Sequence, residues 1–341
     1  MITDDYIDYI RTVRRYSVRT QEIYRAALDE FFSFAIPDGS GPAQDGEEVP
    51  VEDLLAALTP VTLRNYEVHL LDERDEDPRT VNLHLSVLSG FCRYLIHRQM
   101  ITSNPVRLIR RPKTSKRLPE FYREDAMTEY FARTEHVADE QALTRLQALV
   151  AAASPSDKNA VEWYEQRLHR LILSILYGTG IRRSELLGLT VGDIDFRRKT
   201  MRVRGKGDKM REIPLIDGLC EEISLYLPSV ETMTGVQTTP GRALLLTAKG
   251  RPLYPVYVDR VIKSELGESA GISGRKSPHV LRHTLATELL DNGTDLNSIK
   301  ELLGHASLAA TQVYTHNSIE KLKSVYKTAH PRAKRGGNHG H

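Results

Sequence analysis

KTMRVRGKGDKMREIPL, Lys199 to Leu215, decides the fold of this chain, because it alternates where its flanks do not. Met201 and Val203 fall on one side and Arg202 and Arg204 on the other, a Gly-Lys-Gly-Asp turn follows, and Ile213 and Leu215 come after it. Successive strand side chains point to opposite faces, so the pattern predicts a β-hairpin. Lys206 sits on its turn, where the ammonium can project freely.

The segments around the hairpin have helical spacing. Upstream, Leu168, Leu171, Ile172, Ile175 and Leu176 recur at three and four residues until Gly178 and Gly180 break the run. Downstream, Ser277 and Pro278 are an N-cap and first-turn pair, and Gly293 ends the helix they begin. A second helix is predicted from Asp295 to Leu303, closed by Gly304, and Ser307 can cap a third. From Asp5 to about Arg111 the chain again predicts mostly helix: Thr20–Ala35 with Ile23, Ala27, Leu28, Phe31 and Phe32 on one face, then helices near Pro60–Asp72 and Asp77–Arg98. Residues 36–53, rich in Gly, Pro and acid, predict a loop, and 136–159, with AAASPSDKN inside it, is expected to hold a second long one. The fold class is therefore mainly α with a small β-sheet.

At 341 residues the chain suggests two domains, on a prior of roughly 100 to 200 residues each. The expected division is 1–112, a basic linker at 113–119 containing Pro119, a second domain over 120–330, and a disordered tail at 331–341. A hydrophobic fraction of 40% and a charged fraction of 27% exclude a disordered chain. The longest apolar run, Leu171–Ile181, is too short to span a bilayer, and Met1 is followed by Thr3, Asp4 and Asp5 rather than by a secretory signal. A cytoplasmic location without membrane insertion is expected. With only Cys92 and Cys220, neither a disulfide framework nor a cysteine zinc site is available.

The net charge of +2 says little, but its distribution says more. Between Arg107 and Arg117, Arg107, Arg110, Arg111, Lys113, Lys116 and Arg117 are basic and no residue is acidic. Arg11, Arg14 and Arg15 form a second cluster interleaved with tyrosines. A solvated linker accounts for the first run taken alone; the two together suit a surface that tracks DNA phosphates.

Three further motifs carry chemistry. GTGIRRSELLGL (Gly178–Leu189) puts Arg182 and Arg183 at a helix start, where adjacent residues diverge by about 100° and only one can enter a shared site. Glu185 can orient either by an ion pair. HVLRH places His279 and Arg282 on one helical face; zinc is disfavoured there, because the glutamate of HExxH is missing and a cation stands beside the would-be metal. His283 reads as a core histidine. GHASLAATQVYTH (Gly304–His316) sets His305 in a corner and Tyr314 nine positions later, and a tyrosine is ordinarily a core or interface residue.

In this order, GTGIRRSEL, VRGKGDK, HVLRH and GHASLAATQVYTH resemble the tyrosine recombinase (phage integrase) family, and within it the bacterial Xer site-specific recombinases, whose tail motif is matched by HPRA at His330–Ala333. The resemblance covers almost the whole chain. It implies a helical, SAM-like core-binding domain followed by an α+β catalytic domain that cleaves and rejoins DNA through a 3′-phosphotyrosyl link, with no cofactor and no metal. It assigns catalytic roles to Arg182, Lys206, His279, Arg282, His305 and the nucleophile Tyr314, and none to Arg183 or His283. The chemistry suits these residue types. Attack on a phosphodiester builds charge on its non-bridging oxygens, which guanidinium forks can hold without losing a proton. Tyr314, with an ordinary pKa of about 10, needs a proton acceptor, for which His279 serves; His305 can hydrogen-bond the phosphate, and Lys206 can protonate the departing 5′ oxygen. The resemblance further implies double-stranded DNA at a specific site, a homo-tetramer or a hetero-tetramer with a paralogue on two duplexes, a tail helix (NSIEKLKSVYKTAH) docking on a neighbouring protomer, nucleoid association, room for a regulatory protein, and chromosome dimer resolution. A phage or mobile-element integrase, a type IB topoisomerase and a DNA-binding protein with a vestigial site are the alternatives. Arg183 and the lengths of 36–53 and 136–159 depart from the family pattern.

Overall fold

The chain divides between Lys116 and Arg117, inside the basic run, into two compact units. The structure, a computed structural model, describes residues 1–36, 49–114, 121–205, 208–267 and 274–304. The first unit is helical: α1 (Ile2–Thr12), α2 (Val18–Ala35), α3 (Val51–Ala57), α4 (Pro60–Val68), which runs into a π turn at His69–Glu73, and α5 (Pro78–His97). Its helix starts are set locally. Ser17, Thr59 and Asp77 each accept a backbone N–H of the first turn, and Pro60 and Pro78 follow two of these caps with φ already helical. Leu28, Phe31, Phe32, Tyr66, Leu88 and Phe91 are buried to 1% or less and form one core. The predicted loop at 36–53 is corrected at its end, since Val51, Glu52 and Asp53 open α3, with the two acids favourably placed at a helix N-terminus. Arg111 donates to Asn82 O and Ser86 Oγ, and Asn82 donates to Pro112 O, so the start of the basic run is laced onto α5.

The second unit is built around α8 (Lys158–Thr179), whose residues from Leu171 to Thr179 are all buried. The helices α6 (Glu124–Arg133), α7 (Glu140–Ala152), α10 (Asp217–Thr234), α11 (Pro255–Glu265) and α12 (Pro278–Asp291) share its core. The expected loop over 136–159 is corrected: a 3₁₀ turn at Glu135–Val137 and the 13-residue helix α7 occupy most of it. Asp139 caps α7 through Ala142 N, and only Ala142 and Leu146 of that helix are buried. The hairpin forms as predicted, β2 (Thr200–Arg204) against β3 (Met210–Pro214), with Met201 opposite Ile213 and Val203 opposite Arg211. A short strand, β1 (Ile194–Asp195), completes an antiparallel sheet in the order β1-β2-β3. The remaining helices are α9 (Arg183–Leu187) and α13 (Leu296–Leu303). Among the described residues no helix is long and apolar enough to cross a membrane.

Candidate active site

Three arginines from three separate elements converge on one helix end. The last carbonyls of an α-helix have no partner within it and carry a partial negative charge. At the C-terminus of α13 these are taken one apiece: Arg211 Nε donates to Leu302 O at 3.2 Å, Arg282 Nη2 to Leu303 O at 2.5 Å, and Arg182 Nη2 to Gly304 O at 3.2 Å. Gly304 makes the arrangement possible. It ends the helix with φ +65°, and a Cβ there would lie 3.2 Å from Cζ, Nε and Nη1 of Arg211.

Each arginine is delivered by a local feature. Gly180 closes α8 in the left-handed conformation, with φ +62°, turning the chain so that Arg182 becomes the N-cap of α9. Its backbone N–H donates to Glu185 Oε2 at 2.8 Å and its Nη1 to Oε1 at 2.9 Å. Arg282 projects from the buried side of α12, where Nη1 also donates to Gly180 O at 2.6 Å. Arg211 occupies an inner-face position of β3, and its fork holds both oxygens of Glu185, at 2.9 and 2.8 Å. Arg182 is the most open of the three, with its side chain 34% exposed, while Arg211 and Arg282 are buried.

The charges do not balance. Arg182 and Arg211 share the carboxylate of Glu185, while Arg282 donates to the backbone carbonyls of Gly180 and Leu303. Burial by itself would raise the Glu185 pKa, but hydrogen bonds from Arg211 and Arg182 and their charges outweigh it and hold the group down at about 2. Arg282 is lowered to about 10, by burial first and then by repulsion from Arg182 and Arg211, so it remains protonated at neutral pH. Among the described residues the cluster therefore carries more positive than negative charge, which favours an anion beside it.

The sequence-predicted set is thus partly assembled here. Arg182 and Arg282 come together at α13. His279 lies one turn before Arg282, exposed in the first turn of α12. Lys206, His305 and Tyr314 lie outside the described residues, as do Lys116, Arg117, the tail helix and HPRA. Arg183 turns away from the cluster and pairs with Asp259 of α11, leaving Arg182 as the member of the pair that enters the site. Glu185 orients Arg182 rather than Arg183, and His283 is half-buried rather than a core residue. Arg11, Arg14, Arg15, Arg107, Arg110, Arg111 and Lys113 are exposed, Arg11 beside Asp8. Arg211 is the residue that motif reading missed. Its signal was a cation two positions before Ile213 on the apolar face of a strand.

The model of the phage integrase family matches residues 146–321. The chain is 32% identical to "Tyrosine recombinase XerC" of Chlorobaculum parvum over 97% of this chain and 94% of that protein. It is 34% identical to "Tyrosine recombinase XerC" of Bacillus pumilus, over 96% of this chain and 95% of that protein. Among solved structures, the Tn1549 transposon integrase in complex with transposon right end DNA superposes with a TM-score of 0.60, at 18% identity, over 94% of this chain and 99% of that one. That likeness shows the shared fold.

Proposed function

The chain belongs to the phage integrase family of tyrosine recombinases, and from that premise we propose that it is an Xer-type site-specific DNA recombinase that uses Arg182, Lys206, His279, Arg282, His305 and Tyr314. The observation that carries the reading is the convergence of Arg182 and Arg282 on the end of α13, immediately before His305 and ten residues before Tyr314. A scissile phosphate meets there a cluster whose described residues carry excess positive charge, and its oxygens are held as charge develops on them. Tyr314 Oη attacks phosphorus, His279 receives the phenolic proton, His305 hydrogen-bonds a phosphate oxygen, and the 5′ oxygen leaves with a proton from Lys206. The products are a 3′-phosphotyrosyl link and a free 5′ hydroxyl. Attack by a 5′ hydroxyl of another strand reverses the step, so strands exchange without an external energy source.

DNA is held by the first unit and the basic run, where exposed Arg14, Arg15, Arg107, Arg110 and Lys113 supply phosphate contacts and Arg111 is fastened to α5, with Arg11, Lys116 and Arg117 extending the track. The active assembly is a tetramer on two duplexes, of this chain alone or with a paralogue, and its task is resolution of chromosome dimers at the nucleoid in the cytoplasm. Near full-length similarity to two proteins named XerC supports this over a mobile-element role.

The test is covalent trapping on the host's genomic DNA. The wild-type chain should give protein–DNA adducts that survive SDS, concentrated at one locus near the replication terminus, and Tyr314→Phe should give none. Equal adduct formation by Tyr314→Phe would refute the nucleophile, and adducts scattered without a shared site would refute site-specific recombination.

A further inference from the structure

Arg211 has no place in the chemistry assigned above, yet it is the most heavily engaged guanidinium of the cluster. It is 7% exposed, grips both oxygens of Glu185, donates Nε to Leu302 O, and lies flat against Gly304. We propose that Arg211 is a positioning residue for strand cleavage, one that occupies Glu185 so that Arg182 stays available to the DNA phosphate, and that seats the corner from which His305 follows. The inference rests on the recombinase reading.

The argument turns on how one carboxylate is shared. Arg182 gives Glu185 one side-chain hydrogen bond, while Arg211 gives it a two-pronged fork, the stronger geometry. Without Arg211, a buried carboxylate would face Arg182 alone. The Arg182 guanidinium would then be drawn into the fork itself, its donors turned from the phosphate, and the positive charge around the phosphate would fall by one. Leu302 O would also lose its partner, so the corner at Gly304 would no longer be held from below.

A purely structural arginine and one that acts through Glu185 differ in a measurable way. For a residue acting through Glu185, neutralising Glu185 in the Arg211 variant removes the trap on Arg182 and restores activity. For one that only packs, a second buried lesion adds to the first.

The experiment uses the full chain and suicide duplexes, nicked beside the cleavage position, made from the sites recovered by adduct mapping. Single-turnover adduct formation and duplex affinity are measured for wild type, Tyr314→Phe, Arg211→Met, Arg211→Lys, Glu185→Gln and the double variant Arg211→Met with Glu185→Gln. Arg211→Met should cleave about 10²-fold more slowly, the scale of a misplaced reacting group, at wild-type duplex affinity. The double variant should recover about tenfold of that loss. Arg211→Lys, a point charge without the fork, should fall between wild type and Arg211→Met, and it carries the test if Arg211→Met does not fold. Wild-type cleavage by Arg211→Met or by Arg211→Lys, or a double variant slower than Arg211→Met, overturns the proposal. Loss of duplex affinity in step with cleavage also overturns it. A wild-type chain that forms no adduct sinks the recombinase reading and this inference with it, whereas wild-type adducts together with unaffected Arg211 variants sink this inference alone.

Discussion

Glu288 makes the stability of the second unit depend on pH in an unusual direction. It lies on α12, six residues after Arg282, and is 7% exposed. Oε2 accepts a hydrogen bond from Tyr177 Oη at 2.8 Å, but Oε1 is buried with no hydrogen-bond partner among the described residues. Burial raises the pKa from its ordinary 4.5 to about 8, with Glu124 and Asp291 adding to the effect and Tyr177 opposing it. Between those two values the folded chain keeps this proton while the unfolded chain has lost it. Stability from this group is therefore fully present below pH 4.5, declines as pH rises, and is gone above about 8. At about 1.4 kcal/mol per pH unit, the loss across that interval is at most about 5 kcal/mol. Glu288→Gln keeps an oxygen to accept from Tyr177 and cannot ionise. Urea unfolding should be followed by fluorescence of Trp163, the single tryptophan, which reports on the second unit alone. The variant and wild type should have similar stability near pH 4.5, diverge steadily in the variant's favour toward pH 8, and then run parallel. A constant offset from pH 5 to 9 would refute the reasoning, and so would a wild type that gains on the variant as pH rises. Because α12 also carries His279 and Arg282, adduct formation above pH 8 should decline more steeply in wild type than in Glu288→Gln.

Two further substitutions probe the cluster. Gly304→Ala places a side chain in the left-handed region, at a cost of about 1–2 kcal/mol, and pushes its Cβ against the Arg211 guanidinium. It should lower the urea midpoint of the Trp163 transition and slow adduct formation at unchanged duplex affinity; an unchanged midpoint would contradict the geometry. Arg183→Ala breaks a half-exposed pair with Asp259, a loss of about 1 kcal/mol or less, and should leave the cleavage rate where it was. Arg182→Ala, measured beside it, should cost about 10²–10³-fold, the scale of a lost charge-stabilising donor. A larger loss in Arg183→Ala than in Arg182→Ala would mean that the neighbouring arginines have been assigned the wrong way round, and comparable losses would mean that both enter the site.

What the sequence made legible, and what it did not, follows from the range of the interactions involved. The hairpin, the end of α8 at Gly180 and the ends of α12 and α13 are marked by residues within a few positions of each other, so alternation, Gly and Ser-Pro signals suffice to find them, although Ser277 makes no side-chain capping bond. The helix α7 is different. With only two buried residues its apolar stripe is thin, and the Ser, Pro and Asp residues after Ala152 make the segment resemble a loop. Its start has a local cap in Asp139 but is also held from a distance by Arg167 of α8, which donates to Ala138 O and Asp139 O. The site divides along the same line. Arg182 and Arg282 stand in motifs whose order could be matched, but Arg211 draws its meaning from Glu185, 26 positions away, and Leu302, 91 positions away. The hairpin pattern does hold one local trace of it. A strand whose inner face reads Arg211, then Ile213, has buried a charge, and a buried guanidinium must find its acceptors within the fold. Such a position marks where a distant carboxylate and a helix end meet the sheet, which is where this chain assembles its cation cluster.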